Sequence, residues 1–376
     1  MSLIWPSSKA ALVTGQPRLH ALVVGVARYP HLIGGDGPLA ADPLSLSQVT
    51  TPAYTARAIS DWLINRYSNA GCPLGSLELL IPPESEVPGQ AGALDHTDAA
   101  TMAGIEEAFN RWMARCSSHK DNIAFLYFCG HGLSKDDQFL LPEDFGAPHL
   151  SNAWRNCINF HESRVGMRSC KAQTQLFFVD ACRETPFGML SQVNVKGEAL
   201  ATAHYSDSVK CQATYFATTE TKQAYGPPDG PTYFCSAVLD CLNGLAAVKS
   251  HGQWQINTYS LSAALGLVMD HLADFYRQPL SCNPDVSGRA LLHEPDQALV
   301  LTEISCSSDA ATAAAEIELS RSGASHRATL ADPKPLRRQV PPGEWSVTVT
   351  FPGGQFADSP PILCLLMPPV FEGVEV

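Results

Sequence analysis

The sequence predicts an α/β fold with a mostly parallel sheet between helices, followed by a small antiparallel β module. Short apolar runs alternate with amphipathic helical patterns through most of the chain, and after about Pro295 polar and apolar residues begin to alternate. The 376 residues, 45% of them hydrophobic, are enough for two domains with packed cores. We expect one domain at residues 18–290 and a smaller β-rich domain at residues 298–376.

Five apolar runs have the composition of buried parallel strands. Runs rich in Val, Phe and Tyr, roughly four to eight residues long, suit strands that are covered on both faces. These runs are residues 21–27, 77–81, 122–129, 175–180 and, with a weaker pattern, 214–218.

Helical patterns separate or follow these runs, since apolar residues recur there every three or four positions. The predicted helices are 51–67, a segment capped by Thr97 that continues to about Cys116, 234–245 and 261–275. This alternation of strands and helices predicts a parallel sheet with helices on both faces.

The C-terminal segment has the pattern of antiparallel strands. Residues 311–315 are small and featureless, but 316–319 and 345–351 alternate polar and apolar residues. Pro341-Pro342-Gly343 precedes the second of these runs and Pro352-Gly353-Gly354 follows it, and both are turn signals.

The bulk composition excludes several classes of protein. A formal net charge of −12 argues against a nucleic-acid-binding surface, which needs clustered Lys and Arg, and fits a surface that attracts basic substrates. Residues 1–20 lack the apolar core of a signal peptide, and no apolar window is long enough to span a membrane. The 12 cysteines include no CxxC pair, so we expect no zinc site. Because a signal peptide and a membrane span are not expected, we predict a cytoplasmic protein without membrane contact, whose cysteines are reduced and lie in the core.

Two of the predicted strands end in small residues around one reactive side chain. His131 lies between Gly130 and Gly132 after one run, and Cys182 follows another. Sites in open α/β sheets gather beyond the carboxyl ends of the strands, and neighbouring strands lie about 5 Å apart. Each motif alone more often marks a turn or core packing, but together they predict an imidazole and a thiol that face one crevice.

A cysteine peptidase needs this arrangement. The thiolate is the nucleophile, and a nearby imidazole deprotonates it and later protonates the leaving amine. We expect the backbone amides of Gly132 and Cys182 to hold the oxyanion. The sequence therefore predicts catalysis by His131 and Cys182.

These residues resemble the caspase-like cysteine peptidases. Cys182 follows His131 by 51 residues, close to the caspase spacing of about 50, and Asp180-Ala181-Cys182 is most similar to metacaspases and bacterial orthocaspases. Residues 22–26, 140–144 and 217–239 are similar to the first strand, the hairpin, and the last strand and helix of the family. The resemblance covers roughly residues 18–290 and implies a caspase-like α/β/α sandwich that cleaves protein substrates.

The resemblance also implies a substrate pocket for Arg or Lys at P1. Asp180 lies two residues before Cys182, so both side chains point to the same side of the strand and the carboxylate can meet a guanidinium. Asp36 and Cys129 are further candidates for this pocket. The alternative is that Asp180 only caps the neighbouring helix or orients a backbone amide.

Further expectations come from the family. Its members are often cut in the linker between the two halves, which predicts a flexible segment at 184–211 with cleavage after Lys196 and Lys210. Metacaspases often need calcium, for which Asp136, Asp137, Glu143 and Asp144 are candidates, although such a cluster is usually a solvated loop. We otherwise expect no cofactor.

The resemblance also implies candidate physiological roles. Some bacterial relatives act in antiviral defence or cell death, including ones that cleave gasdermin-like pore-forming proteins, which implies such a partner here. The alternative is a catalytically silent scaffold, although a scaffold has no physical need for both His131 and Cys182.

Overall fold

The structure is a computed structural model that describes residues 2–5, 15–82, 98–190, 195–202, 209–219 and 225–372. Within these residues the strands are, in chain order, β1 (Leu3–Trp5), β2 (Leu19–Gly25), β3 (Leu74–Leu80), β4 (Ile123–Cys129), β5 (Gly132–Ser134), β6 (Gln138–Leu140), β7 (Ile158–Asn159), β8 (Thr174–Asp180), β9 (Cys211–Phe216), β10 (Val248–Ser250), β11 (Gln253–Asn257), β12 (Asn283–Ser287), β13 (Leu291–His293), β14 (Val300–Ile304), β15 (Glu316–Arg321), β16 (Ala324–Ala328), β17 (Leu336–Val340), β18 (Gly343–Thr350), β19 (Ile362–Leu366) and β20 (Val370–Glu372). The helices are α1 (Thr51–Asn65), α2 (Met102–Cys116), α3 (Phe160–Gly166), α4 (Phe187–Leu190), α5 (Tyr233–Asp240), α6 (Thr258–Tyr276) and α7 (Asp309–Ala314).

The chain forms two compact units, Met1–Leu239 with Met269–Leu291, and Asp240–Val268 with Leu292–Val376. This division differs from the predicted domains, 18–290 and 298–376, because Asp240–Val268 groups with the C-terminal strands. The backbone shows why, since the Leu299 N–H donates to the Gly244 carbonyl at 3.0 Å. The predicted domain boundaries stay a prediction.

A seven-stranded sheet organises the first unit, in the order β1-β3-β2-β4-β8-β9-β12. The five strands from β3 to β9 are parallel to their neighbours, whereas β1 and β12 pair antiparallel at the two edges. These five are the strands that the apolar runs predict, with ends that differ by up to three residues. All residues of β2 and β4 are buried, as expected for strands covered on both faces. The predicted α/β class is confirmed.

One face of this sheet packs on α2. Ile105, Phe109 and Trp112 of the helix lie in one buried cluster with residues of β2 and β4, which follows from their helical spacing. The helix begins after Thr101, whose side-chain oxygen accepts from the Gly104 N–H at 3.2 Å. The predicted cap, Thr97, lies outside the described residues.

A small antiparallel sheet, in the order β5-β6-β7, follows directly after His131. The register pairs Gly132 with Leu140 and Ser134 with Gln138. This is the hairpin that the resemblance implies, and it fixes the backbone on one side of Cys182, as described below.

The second unit contains two further sheets in its C-terminal part, β17-β14-β20 and β16-β15-β18-β19. Their buried cluster includes Trp345, Val347, Ile317 and Leu319, from the two runs whose alternation predicts strands. Apart from the parallel pair of β14 with β20, the pairs are antiparallel, as expected.

One helix of the second unit has no counterpart in the predictions. The featureless residues 311–315 lie largely within α7, whose N-cap Ser308 accepts from the Ala311 N–H at 3.2 Å. Alanine has high helix propensity but gives no apolar periodicity, so the pattern does not reveal the helix.

None of the described helices is both long and apolar enough to cross a bilayer.

Candidate active site

Neighbouring parallel strands bring the predicted pair together. The register of β4 and β8 places Cys129 opposite Asp180. His131 and Cys182 each lie two residues beyond that pair, at the carboxyl ends of these two central strands. Gly132 lies against Cys182: a Cβ on this glycine would be 2.6 Å from the Cys182 carbonyl oxygen and 2.7 Å from the Ala181 Cβ. Only glycine permits this approach of the two backbones.

The imidazole of His131 is held by two residues that the sequence does not single out. The Tyr29 hydroxyl accepts from the His131 N–H at 2.7 Å and donates to the Leu141 carbonyl at 3.1 Å, and the Tyr29 and His131 ring centroids are 4.7 Å apart. The Nε2 atom of His131 lies 2.6 Å from the Ser47 carbonyl oxygen.

The Ser47 contact assigns the tautomer of His131. A carbonyl oxygen only accepts hydrogen bonds, so Nε2 carries the proton and, in the neutral ring, Nδ1 carries a lone pair. Burial lowers the pKa of His131, which favours the neutral ring at pH 7. The side chain is therefore prepared to accept a proton at Nδ1.

The loop between β2 and α1 positions Ser47. Ile33 and Ser47 form an isolated β-bridge. The Gln48 side chain accepts from the Tyr29 N–H at 2.9 Å and donates to the Tyr29 carbonyl at 2.8 Å. One loop thus carries both groups that hold His131.

Cys182 is partly exposed, and its backbone is fixed from the side of the hairpin. The Gln138 Nε2 donates to the Cys182 carbonyl at 3.0 Å, and the Arg183 Nε donates to the Gln138 Oε1 at 3.1 Å. The Arg183 guanidinium lies over the Phe216 ring at 4.4 Å. The Ser134 N–H donates to the Glu184 carbonyl at 2.9 Å. Arg183 and Glu184 thus support the segment that carries the thiol.

Asp180 does not lie along an open pocket in this structure. Its side chain is 1% exposed and accepts hydrogen bonds from the Tyr127 hydroxyl, at 2.9 Å, and from the Thr232 hydroxyl. The Thr232 oxygen in turn accepts from the Cys235 N–H at 3.0 Å, at the start of α5. Asp180 thus reaches the start of α5 through the Thr232 hydroxyl and does not cap the helix itself. Burial raises the pKa of Asp180 to about 6.

The other two predicted substrate-binding residues lie in different settings. Cys129 is 2% exposed beside Asp180, and burial raises the pKa of its thiol strongly. Asp36 is exposed and forms an ion pair with Arg28 at 2.8 Å, while Arg28 also contacts Glu143 at 3.1 Å. The structure therefore joins Cys129 to Asp180 but pairs Asp36 with Arg28 on the surface.

At the two predicted self-cleavage sites the lysine side chain is exposed, but the backbone around it is hydrogen-bonded to other segments. The Lys196 carbonyl accepts from the Asn159 Nδ2 at 3.0 Å, and the adjoining Glu198 N–H donates to the Cys157 carbonyl at 2.7 Å. The Lys210 N–H donates to the Gln173 carbonyl at 2.9 Å, where β9 begins. Of the predicted flexible segment, residues 191–194 and 203–208 lie outside the described residues.

The predicted calcium ligands have protein partners in most cases. Asp137 accepts from the Asn159 Nδ2 at 2.9 Å, Asp144 accepts from the Met102 N–H at 2.8 Å, and Glu143 contacts Arg28. In the part of the chain that the structure describes, no three His, Cys, Asp or Glu residues are grouped so that they could hold a metal ion. Calcium dependence stays a prediction.

All twelve cysteines lie in the described residues and are free thiols. Ten are buried, and only Cys182 and Cys282 are partly exposed. The interpretation of most cysteines as apolar core residues agrees with this burial.

Comparison with known proteins identifies the first part of the chain. The model of the caspase domain, peptidase family C14, matches residues 18–253. The uncharacterized protein y4kE of Sinorhizobium fredii is 28% identical over 218 residues, which cover 55% of this chain and 60% of the relative. A probable protease of a Desulfuromonadales bacterium is 29% identical over 139 residues, which cover 35% of this chain and 16% of that protein. The chain thus spans less than two thirds of either relative.

Two solved structures are also similar. Caspase-1 from Spodoptera frugiperda has a TM-score of 0.42 and 9% identity, with coverage of 72% of this chain and 88% of that one. Protein GSU0716 from Geobacter sulfurreducens has a TM-score of 0.44 and 14% identity, with coverage of 74% and 98%.

Proposed function

The chain belongs to the caspase-domain family of peptidases, and we propose that it is a cysteine endopeptidase with Cys182 as nucleophile and His131 as general base and acid. The observation that carries the proposal is the joint placement of the two residues. They lie equally far beyond the paired strands β4 and β8, and Gly132 packs on the Cys182 carbonyl. The contact with Ser47 leaves Nδ1 of the neutral His131 ring able to take a proton.

The proposed reaction follows from these groups. Nδ1 of His131 takes the thiol proton of Cys182, and the thiolate attacks the scissile carbonyl carbon. The N–H groups of Gly132 and Cys182 donate to the resulting oxyanion. His131 then gives its proton to the departing amine, and a thioester joins the substrate to Cys182. Water, deprotonated by His131, hydrolyses the thioester and restores the thiol.

We further propose that the substrate carries Arg or Lys at P1. Asp180 Oδ2 is hydrogen-bonded, but among the described residues Oδ1 is buried without a hydrogen-bond partner. A buried carboxylate oxygen two residues from the nucleophile favours a cationic side chain, which would pair with it. Because Asp180 is 1% exposed, binding of such a side chain requires the residues above it to move.

Hydrolysis of matched fluorogenic peptides tests the activity. The purified protein is assayed on peptides that differ only in P1, which is Arg, Lys, Asp or Leu, with and without calcium. We expect turnover of the Arg and Lys peptides, and none by Cys182→Ala. Equal turnover by wild type and Cys182→Ala would contradict the role of Cys182. A best rate on the Asp or Leu peptide would contradict only the proposed P1 preference.

Self-cleavage is a separate proposal that the same variant tests. The exposed Lys196 and Lys210 side chains fit the proposed P1 preference, although cleavage after either requires the paired backbone to open. Mass spectrometry of overexpressed protein should show fragments that end in Lys196 or Lys210 for wild type and none for Cys182→Ala. Intact wild type after long incubation would contradict self-processing.

The cytoplasmic location stays a prediction from the composition, and the role in defence or cell death and the gasdermin-like substrate stay predictions from the resemblance. A proteome-wide cleavage profile would identify the substrate directly.

A further inference from the structure

The two edge strands of the sheet β16-β15-β18-β19 differ in their exposed residues. On β16, Ser325 and Arg327 are exposed, and Arg327 forms an ion pair with Glu316 of the neighbouring strand. On β19, Leu363 is 70% exposed and Leu365 is 66% exposed, and Met367, which follows the strand, is 56% exposed. One edge is therefore polar, and the other is apolar.

The apolar edge lacks the usual protection against pairing with another chain. Edge strands in monomeric proteins generally carry a charge, a proline or a bulge that blocks further pairing. No charged residue lies between Asp358 and Glu372. Pro360-Pro361 and Pro368-Pro369 flank the strand, but the six residues 362–367 between them contain no proline. The backbone of β19 can therefore pair on the side away from β18.

The core does not require the exposed leucines. Side chains alternate along β19, so Cys364 and Leu366 point inward and are buried with Trp345. Leu363 lies opposite Ser346 and Leu365 opposite Glu344, on the outer face of the sheet. Two large apolar side chains thus stand beside polar neighbours on that face, which points to a partner rather than to the protein's own interior.

The sequence of β19 is complementary to itself. In an antiparallel pair centred on Cys364, Leu363 of each copy lies opposite Leu365 of the other, and Ile362 lies opposite Leu366. Residues that face each other in such a pair lie on the same side of the sheet, so the four exposed leucines of two copies would contact one another. A two-fold interface requires this self-complementarity.

We propose that β19 is a self-association site, at which two copies of this chain join through antiparallel β19–β19 pairing centred on Cys364. The two four-stranded sheets then form one eight-stranded sheet, and the leucines form one cluster across the two-fold axis. The site lies outside residues 18–253, which match the caspase domain, and it does not depend on the proposed peptidase activity. A short strand pair buries little surface, so the dimer is weak and depends on concentration.

Sedimentation equilibrium of the full chain tests the proposal. Leu365→Lys places a charge in the leucine cluster, and we expect it to raise the dimer dissociation constant at least about tenfold. Leu330→Lys is the matched control, because Leu330 is 52% exposed in the same unit but lies outside β19. It should change the constant less than about twofold. A monomeric wild type, or equal dimerisation of Leu365→Lys and wild type, overturns the proposal.

Disulfide cross-linking tests the register and remains informative if Leu365→Lys fails to fold. A chain that carries Leu363→Cys and Leu365→Cys, with Cys364→Ala to remove the native thiol on the axis, should cross-link under mild oxidation through residue 363 of one copy and residue 365 of the other. Peptide mass spectrometry identifies the linked residues. Links of 363 to 363 and 365 to 365 would indicate parallel pairing. Those links, or no more cross-linking than in Leu330→Cys, would overturn the proposal.

Discussion

Cys129 ends β4 and Cys182 follows β8, the neighbouring strand of the same sheet, yet the surroundings of the two thiols differ. Cys129 is the last residue of β4, 2% exposed and beside the Asp180 carboxyl. Cys182 lies two residues beyond the end of β8, is partly exposed and packs against Gly132. In the sequence, Cys129 lies two residues before His131, and Cys182 lies two residues after a predicted strand. Closeness to these motifs therefore does not by itself show which thiol is the nucleophile.

From this comparison we infer that the position of a thiol relative to the end of its strand affects its chemistry. Burial disfavours the thiolate, and the Asp180 carboxylate disfavours it further, so the pKa of Cys129 is raised strongly. Beyond the strand end, water and backbone N–H groups can stabilise the thiolate. A displacement of two residues along the chain is thus expected to separate an inert core thiol from a nucleophile.

The largest expected effect is on peptidase activity. Cys182→Ala removes the nucleophile and His131→Ala removes the base, so each should lower kcat at least about 10³-fold. The double variant should be no worse, because the two residues act together. Cys129→Ala is the matched control and should keep activity within about tenfold. The assignment fails if Cys129→Ala is the inactive variant, and circular dichroism checks that each variant is folded.

Alkylation compares the two thiols directly and needs no substrate. At pH 7, iodoacetamide should modify Cys182 at least about 100-fold faster than Cys129, because only a thiolate reacts and the Cys129 thiol is buried. Mass spectrometry after tryptic digestion gives the extent of labelling at each site. The order of reactivity should persist in His131→Ala, with slower labelling of Cys182. Equal rates at the two cysteines would contradict the comparison.

Gly132→Ala tests the close backbone contact at Cys182. The added Cβ would lie 2.6 Å from the Cys182 carbonyl and 2.8 Å from the Gln138 Nε2, so the oxyanion donors must shift. We expect kcat to fall about 100-fold with a smaller change in KM. Gly266→Ala is the control, because a Cβ there meets nothing within 4 Å and the residue lies in α6. Full activity of Gly132→Ala would show that the contact is dispensable.

Asp180→Asn has the smallest expected effect and separates specificity from structure. An amide oxygen can still accept from Tyr127 and Thr232, but the negative charge is lost. The preference for Arg over Leu at P1 should therefore fall about tenfold, while hydrolysis of the Leu peptide changes little. A drop of similar size on both peptides would indicate that Asp180 serves only to support α5.

The titration of Asp180 sharpens this test. Because its pKa is raised to about 6, the carboxyl gains its charge in the folded protein only as pH rises through about 6. The preference of wild type for the Arg peptide should grow over that range, and Asp180→Asn should show no such growth. The folded state binds this proton more tightly than the unfolded chain. The contribution of Asp180 to the free energy of unfolding therefore decreases as the pH rises from about 4 to about 6.

The sequence by itself determined the central strands and the positions of His131 and Cys182 just beyond two of them. Short apolar runs rich in Val, Phe and Tyr favour strands buried on both faces, and the small residues after two of these runs mark the strand ends where His131 and Cys182 lie. The alternation at 316–319 and 345–351 likewise determined two strands of the C-terminal module. These features depend on local periodicity and composition, which the sequence states directly.

Only the tertiary structure decided what holds the pair and what Asp180 contacts. Ser47 holds His131 through a backbone carbonyl, which every residue has and which therefore leaves no mark in the sequence. Gln138 reaches the Cys182 carbonyl because a hairpin brings it there. The alternation of a strand predicts that Asp180 and Cys182 share a side, but the neighbours on that side, Tyr127 and Thr232, come from distant segments. These two residues cover the Asp180 carboxyl, and its burial therefore depends on packing between segments that are distant in the sequence.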